Sequence, residues 1–192
     1  MKVVAFFGSH QTEGNTRGVL ESVLKGIREV KEIDYHFVDL CKDENIKSCD
    51  GCMDCKFKPE IWCSQNDKGF EYIKEMIEAD VVIFAYPVYC DMMPGDVKRF
   101  YDRTLPFIDF TKFTIKESIR EKMEKKWVIQ LLTCGSGSCD NAAKPIANMT
   151  HLWKCHHEYL GIGGGQTNQT IRDDPEKMKQ AYEFGKKIAS QF

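Results

Sequence analysis

Apolar residues along the chain gather into five short runs, and helical periods lie between them. Val3-Val4-Ala5-Phe6-Phe7 reads as a buried strand over residues 2–7, bounded by Gly8. Val19, Leu20, Val23, Leu24 and Ile27 then recur at helical spacing within Gly14–Glu29. Ile33–Leu40, with Tyr35, Phe37 and Val38, gives a second strand. Gly69–Ala79 gives a short helix that feeds the continuous apolar strand Asp80–Tyr86, stopped by Pro87. Asp91–Phe107 reads as helical, with Pro94 in its first turn. Phe110–Glu124 reads as a polar, partly helical connection. Trp127–Thr133 is the fourth strand, ended by Gly135-Ser136-Gly137, and Ala142–Lys154 a helix. Glu158–Ile162 is a short fifth strand, ended by Gly163-Gly164-Gly165, and Glu176–Ser190 the closing helix.

Five strand–helix alternations without repeats or a linker predict an α/β fold in one domain, 1–192. The sheet is open, doubly wound and parallel, since right-handed crossovers put helices on both faces. With strand order 2-1-3-4-5, a ligand sits at the carboxyl ends of strands one, three and four. Three turn-rich stretches fall at those ends: 8–16, 87–91 and 133–138. The first, GSHQTEGNT, joins a strand to a helix N-terminus, where unpaired N–H groups and the helix dipole favour an anion. Ser9, Thr12 and Thr16 can add hydroxyl donors and Asn15 an amide, while Gly8 and Gly14 permit close backbone approach. The stretch is neither a P-loop nor a G-x-G-x-x-G turn.

A length of 192 residues, 42% hydrophobic and 29% charged, suits one soluble domain with a full core. A net charge of −2 gives no support to a nucleic-acid or anionic-membrane surface. No apolar run reaches spanning length, and Val3–Phe7 is far too short for a secretory leader, so a cytoplasmic location is expected. Nine cysteines are many for such a chain, and four fall within Cys49–Cys63. That clustering points to metal or redox use rather than stapling. The aperiodic segment 41–68 that carries them is long for a connection, as functional loops often are.

Cys49-x2-Cys52-x2-Cys55-x7-Cys63 can wrap one compact cluster, so a [4Fe-4S] centre is preferred to zinc on spacing. Zinc and free or redox-active thiols remain open. Cys90 and Cys134 can simply pack within their loops, and Cys41, Cys139 and Cys155 read as buried thiols. His151, His156 and His157 read as structural, and the basic residues of 112–126 as a solvated face.

With the three loops, the cysteine segment, ADVVIFAYPVY and KRFYDR in view, the chain resembles the flavodoxin-like NAD(P)H-dependent FMN reductases, in particular their iron–sulfur flavoprotein branch. The resemblance implies that Ser9, Gln11, Gly14, Asn15 and Thr16 hold an FMN phosphate. Pro87, Val88, Tyr89 and Cys90 would lie along the isoalloxazine ring, and Thr133, Cys134 and Gly135 at its other edge. Tyr86 either helps to pack the ring or fills the core. The family usually carries Arg where this chain has Gln11, leaving one phosphate charge unanswered.

The implied activity passes electrons from NAD(P)H or a reduced carrier through FMN to an acceptor: a quinone, a flavin, an oxygen species or a protein. Two alternatives are an electron carrier fed by ferredoxin without NAD(P)H activity, and a zinc-stabilised binding module without redox function. A homodimer or homotetramer is implied, and the cysteine segment could fold over a neighbouring subunit's flavin.

Overall fold

The computed structural model describes residues 1–135, 138–167 and 169–192. Strands β1 (Lys2–Phe7), β2 (Asp34–Asp39), β3 (Val81–Pro87), β6 (Trp127–Thr133) and β7 (His156–Ile162) form one parallel sheet. Its order is β2-β1-β3-β6-β7. This is the doubly wound, flavodoxin-like order expected from the alternation, with two hairpin strands, β4 (Ile108–Asp109) and β5 (Thr114–Ile115), lying outside it. Ser136 and Gly137, expected to help end the fourth sheet strand, lie outside the described residues.

Side chains of a strand alternate between faces, so the unbroken apolar runs feed two cores. Val4 and Phe6 of β1, with Val82 and Phe84 of β3, pack beneath α2 (Lys68–Glu78), α3 (Gly95–Tyr101) and α5 (Asp140–Leu152). Val3, Ala5 and Phe7, with Val81 and Ile83, pack beneath α1 (Asn15–Val30) and α6 (Pro175–Ala189). There α1 and α6 approach so closely that a Cβ on Gly26 would lie 2.0 Å from the Tyr182 carbonyl oxygen. A Cβ on Gly185 would lie 2.1 Å from that of Val23.

The stretch 91–107 is not one helix. Cys90 and Asp91 have φ of 49° and 62°, and Tyr89 bridges Met92 in a tight turn. Pro94 is the N-cap of α3 rather than part of its first turn, and Asp102–Phe107 is a 3-10 segment containing Pro106. A proline there removes a donor and crowds the preceding turn, so an α-helix cannot run through it. Downstream, the polar connection becomes the β4–β5 hairpin and the short α4 (Arg120–Glu124).

Nor is the basic stretch 112–126 a uniformly solvated face. Lys116 and Lys126 are only 3% and 1% exposed. Lys126 Nζ donates to the carbonyls of Ile77 and Ala79 at the end of α2, where a helix leaves acceptors unpaired. Burial pulls its ammonium down to about 8. Among the described residues, no helix is long and apolar enough to cross a membrane.

Candidate cofactor groove and cysteine cradle

Sheet register brings three chain exits together. Phe7 pairs with Ala85, and Pro87 with Thr133. Gly8 N–H donates to Ala85 O, and Val88 N–H to Thr133 O, each at 2.8 Å. Around these exits lies a groove lined by Ser9, Gln11, Asn15, Thr16, Pro87, Val88, Tyr89, Thr133, Cys134 and Gly135. Gly165 and Thr167 complete it; in the sequence the Gly163–Gly165 run signals only a turn. Two expected residues stand apart from the lining. Gly14 is the N-cap of α1, and Cys90 is exposed at the tight turn.

The amino end of α1 has no side-chain cap and no acidic residue in its first turn. In contrast, Asp67 caps α2 and Asp174 caps α6. The α1 first-turn N–H groups are therefore left to an outside acceptor, and the helix dipole favours an anionic one. The side chains there are more committed than their types suggest. Asn15 Nδ2 donates to Thr167 O at 2.7 Å, and its Oδ1 accepts from Ile171 and Arg172 N–H. Its amide thus braces the segment after β7, and a second Nδ2 hydrogen and the main-chain N–H are left to offer the groove. Thr16 Oγ1 pairs with Thr133 Oγ1 at 2.7 Å. Ser9 Oγ accepts from Gln11 N–H, which leaves its hydroxyl hydrogen to donate outward. Tyr86 does not reach the groove: it is buried, with its hydroxyl on Gln130 Oε1 and Ala142 O. Tyr89, half exposed, sits on the rim.

The cysteine segment is irregular apart from a 3-10 turn at Asp54–Phe57, yet it is firmly held. Cys49, Cys52, Cys55 and Cys63 line one cavity, against Arg103, Leu105 and Pro106. Arg103, buried, grips both Asp67 oxygens at 2.7 and 2.8 Å and donates to Lys47 O and to Cys63 Sγ at 3.4 Å. From the hairpin side, Lys116 Nζ donates to the carbonyls of Cys55 and Glu60. Neither cation was legible as a partner of the segment, because both lie about 40 to 60 residues away in sequence. Gly51 and Met53, with φ of 71° and 62°, turn the backbone between the ligand-spaced cysteines. Burial pushes the Cys55 thiol up, and the Lys116 charge opposes it.

Sulfur spacing separates the possible occupants. Among the described residues, the ligand atoms of only His10, Cys41 and Asp96 lie all within 4.8 Å of one another. No three of the four cradle sulfurs therefore lie all within 4.8 Å of one another, whereas the corners of a zinc tetrahedron are about 3.8 Å apart for Zn–S bonds near 2.3 Å. The donor set fits a larger four-thiolate body, and buried cations beside it suit its negative charge. His10, Cys41 and Asp96 form a hydrogen-bonded group instead. Burial and then Asp96 push the Cys41 thiol up to about 12, and Arg99 already answers Asp96 at 3.3 Å.

Residues 1–166 match the family described as NADPH-dependent FMN reductase. The chain belongs to that family. Within it, the chain is 35% identical to the iron–sulfur flavoprotein of Methanocaldococcus jannaschii, across 98% of this chain and 96% of that protein. It is 28% identical to the iron–sulfur flavoprotein of Archaeoglobus fulgidus, across 100% of this chain and 80% of that one. Among solved structures, an NAD(P)H:quinone oxidoreductase from Methanothermobacter marburgensis superposes with a TM-score of 0.73 at 18% identity, covering 98% of this chain and 96% of that one. This last likeness is one of fold. As an FMN reductase family member, the chain is an FMN-dependent oxidoreductase, and the groove at the carboxyl edge of its sheet is where such a fold takes its ligand.

Proposed function

We propose that FMN lies in this groove, its phosphate on the uncapped end of α1 and its ring between Pro87–Tyr89 and Thr133–Gly135. In that placement Ser9 Oγ and the N–H groups of Asn15 and Thr16 bind the phosphate, and Gln11 contributes an amide. Bound FMN supplies hydride and single-electron transfer. The chain's own groups orient the ring and keep one edge of it from water. The cysteine cradle takes a [4Fe-4S] cluster on Cys49, Cys52, Cys55 and Cys63, giving a one-electron port. Electrons come from NAD(P)H or a reduced carrier and leave to a small-molecule acceptor such as a quinone. The single observation that carries this reading is the convergence of three sheet-end loops on a helix terminus without a cap of its own.

The cradle favours a second reading of the same site, an electron carrier fed by a ferredoxin-like donor without use of NAD(P)H. Exposed Phe57, Tyr89, Met92 and Phe113 support the homodimer or homotetramer that the resemblance implies.

Anaerobically purified protein should show flavin bands, a broad iron–sulfur shoulder and about four irons per chain, the content of a cubane on four thiolates. Cys55→Ser should lose the iron and keep the flavin. Colourless protein that takes up no FMN on titration would sink the assignment, and flavin without metal would leave the cysteines as thiols. Rapid bleaching by NADH or NADPH marks the reductase, and reduction by ferredoxin alone marks the carrier.

Gln11→Arg restores the missing charge. It should tighten FMN binding by about fivefold, as one exposed charge-assisted hydrogen bond of about 1 kcal/mol gives. Quenching of flavin fluorescence on apoprotein measures this, and unchanged or weaker binding would place the phosphate elsewhere.

A further inference from the structure

Cys134 and Cys139 bracket the loop after β6 and face each other. Cys139 Sγ donates to Cys134 Sγ at 3.2 Å, and both residues are buried. Their backbones are fixed independently. Cys134 N–H donates to Ile162 O, and its carbonyl accepts from Gly165 N–H. Cys139 is the N-cap of α5, with its carbonyl on Ala143 N–H. Gly161 leaves the room they need, since a Cβ there would come within 2.9 Å of Cys139 Cβ. The two sulfurs need to approach by only about 1 Å to reach a disulfide length near 2.05 Å.

The pair also has a distinctive place. Cys134 lines the cofactor groove and, with Cys139, Asp140, Tyr159 and Gly161, lines a separate depression opening beside β7. Cys134 therefore forms part of the wall between two cavities, with Cys139 on its depression side.

We propose that Cys134 and Cys139 are a reversible dithiol–disulfide couple, a two-electron site in that wall which reacts with low-molecular-weight disulfides entering the depression. Cys134 attacks one sulfur of the incoming disulfide, whose S–S bond breaks and releases one thiol. Cys139 then attacks the mixed disulfide, and the second small thiol leaves with its proton. Two protein S–H bonds are lost, one protein S–S bond forms, and one small disulfide becomes two thiols. Burial, and then the contact with Cys134, pushes the Cys139 thiol up to about 12, which makes Cys139 the resolving partner rather than the first attacker. Regenerating the dithiol requires two electrons and two protons at the S–S bond, which FMN held in the groove would supply when reduced. This return step rests on the FMN reading of the groove; the exchange step does not.

The test equilibrates the purified protein in graded ratios of reduced and oxidised glutathione, traps thiols by alkylation in acid-quenched denaturant, and maps peptides by mass spectrometry. The expected result is a peptide linking Cys134 to Cys139, appearing along a single two-electron transition and absent from Cys139→Ser and Cys134→Ser. Both thiols alkylated at every ratio, or Cys134 carrying glutathione without ever passing it to Cys139, would overturn the proposal. In FMN-loaded protein, anaerobic reductive titration of the disulfide form should take about two electrons per chain more than Cys139→Ser, the stoichiometry of such a couple. Equal uptake would mean that the pair is not in electronic exchange with the flavin. If FMN does not bind at all, the reading of the groove fails, while the linked peptide still decides the dithiol couple.

Discussion

Asp67→Ala is expected to destabilise the protein by about 3–5 kcal/mol, the cost of leaving a buried charge without its partner. Arg103 has 1% of its side chain exposed and Asp67 8%, so solvent cannot take over the pairing. Asp67 serves three elements at once. It takes both Arg103 nitrogens, accepts Lys47 N–H at 2.8 Å, and caps α2 through Phe70 N–H. The cap alone is worth about 1 kcal/mol, so most of the loss comes from the ion pair.

The same residue gives an acid limb. Burial alone would raise its carboxyl, but the Arg103 hydrogen bonds and those from Lys47 and Phe70 outweigh it and hold it at about 2, against 3.8 unfolded. A carboxyl lowered by folding stabilises above its unfolded value, and that share is lost as pH falls from about 4 to about 2, amounting to at most about 2.5 kcal/mol. Urea midpoints at pH 7 and pH 2.5 for wild type and Asp67→Asn measure both parts. A gap that stays the same at the two pH values would remove the ion pair from the account. On the proposed reading of the cradle as a cluster site, iron content should fall with stability, because Arg103 also touches Cys63.

Gly185→Ala, and separately Gly26→Ala, should each cost about 2 kcal/mol net. Overpacking of a tight contact costs about 3 kcal/mol, and alanine's helix preference returns about 1. The added methyl would meet backbone rather than a movable side chain, at 2.1 Å for Gly185 and 2.0 Å for Gly26. Relief therefore requires α1 to move away from α6. With FMN placed as proposed, its phosphate on the amino end of α1, FMN affinity should fall in both variants, although neither residue lines the groove. Thermal unfolding and flavin titration on the same samples check this, and a loss of stability with unchanged affinity would show that the amino end of α1 is anchored independently of its packing.

Much of this architecture is local information. Val3–Phe7 and Val81–Tyr86 announce buried strands by composition alone, and the turn residues at 8–16 and 87–91 mark where the groove opens. What escapes a reading along the chain are the contacts made at long range. Lys116 and Lys126 look like surface charges until the carbonyls of Cys55, Glu60, Ile77 and Ala79 are found around them. The Asn15 side chain reads as a simple loop donor until it is found bracing Thr167, Ile171 and Arg172. The stretch 91–107 fails for a different reason. Its apolar spacing is helical, but Pro94 and Pro106 confine the α-helix to seven residues.

The anchors of the cysteine segment separate its shape from its contents. In modules that fold only around a metal, loss of the ion is loss of structure. Here Arg103 grips Lys47 and Asp67, and Lys116 grips Cys55 and Glu60, so both flanks of the cavity are tied to α2, the 3-10 segment after α3 and the hairpin. Loss of the cluster proposed for this cavity would leave a standing receptacle, and repair would be a matter of refilling it rather than of folding the chain anew.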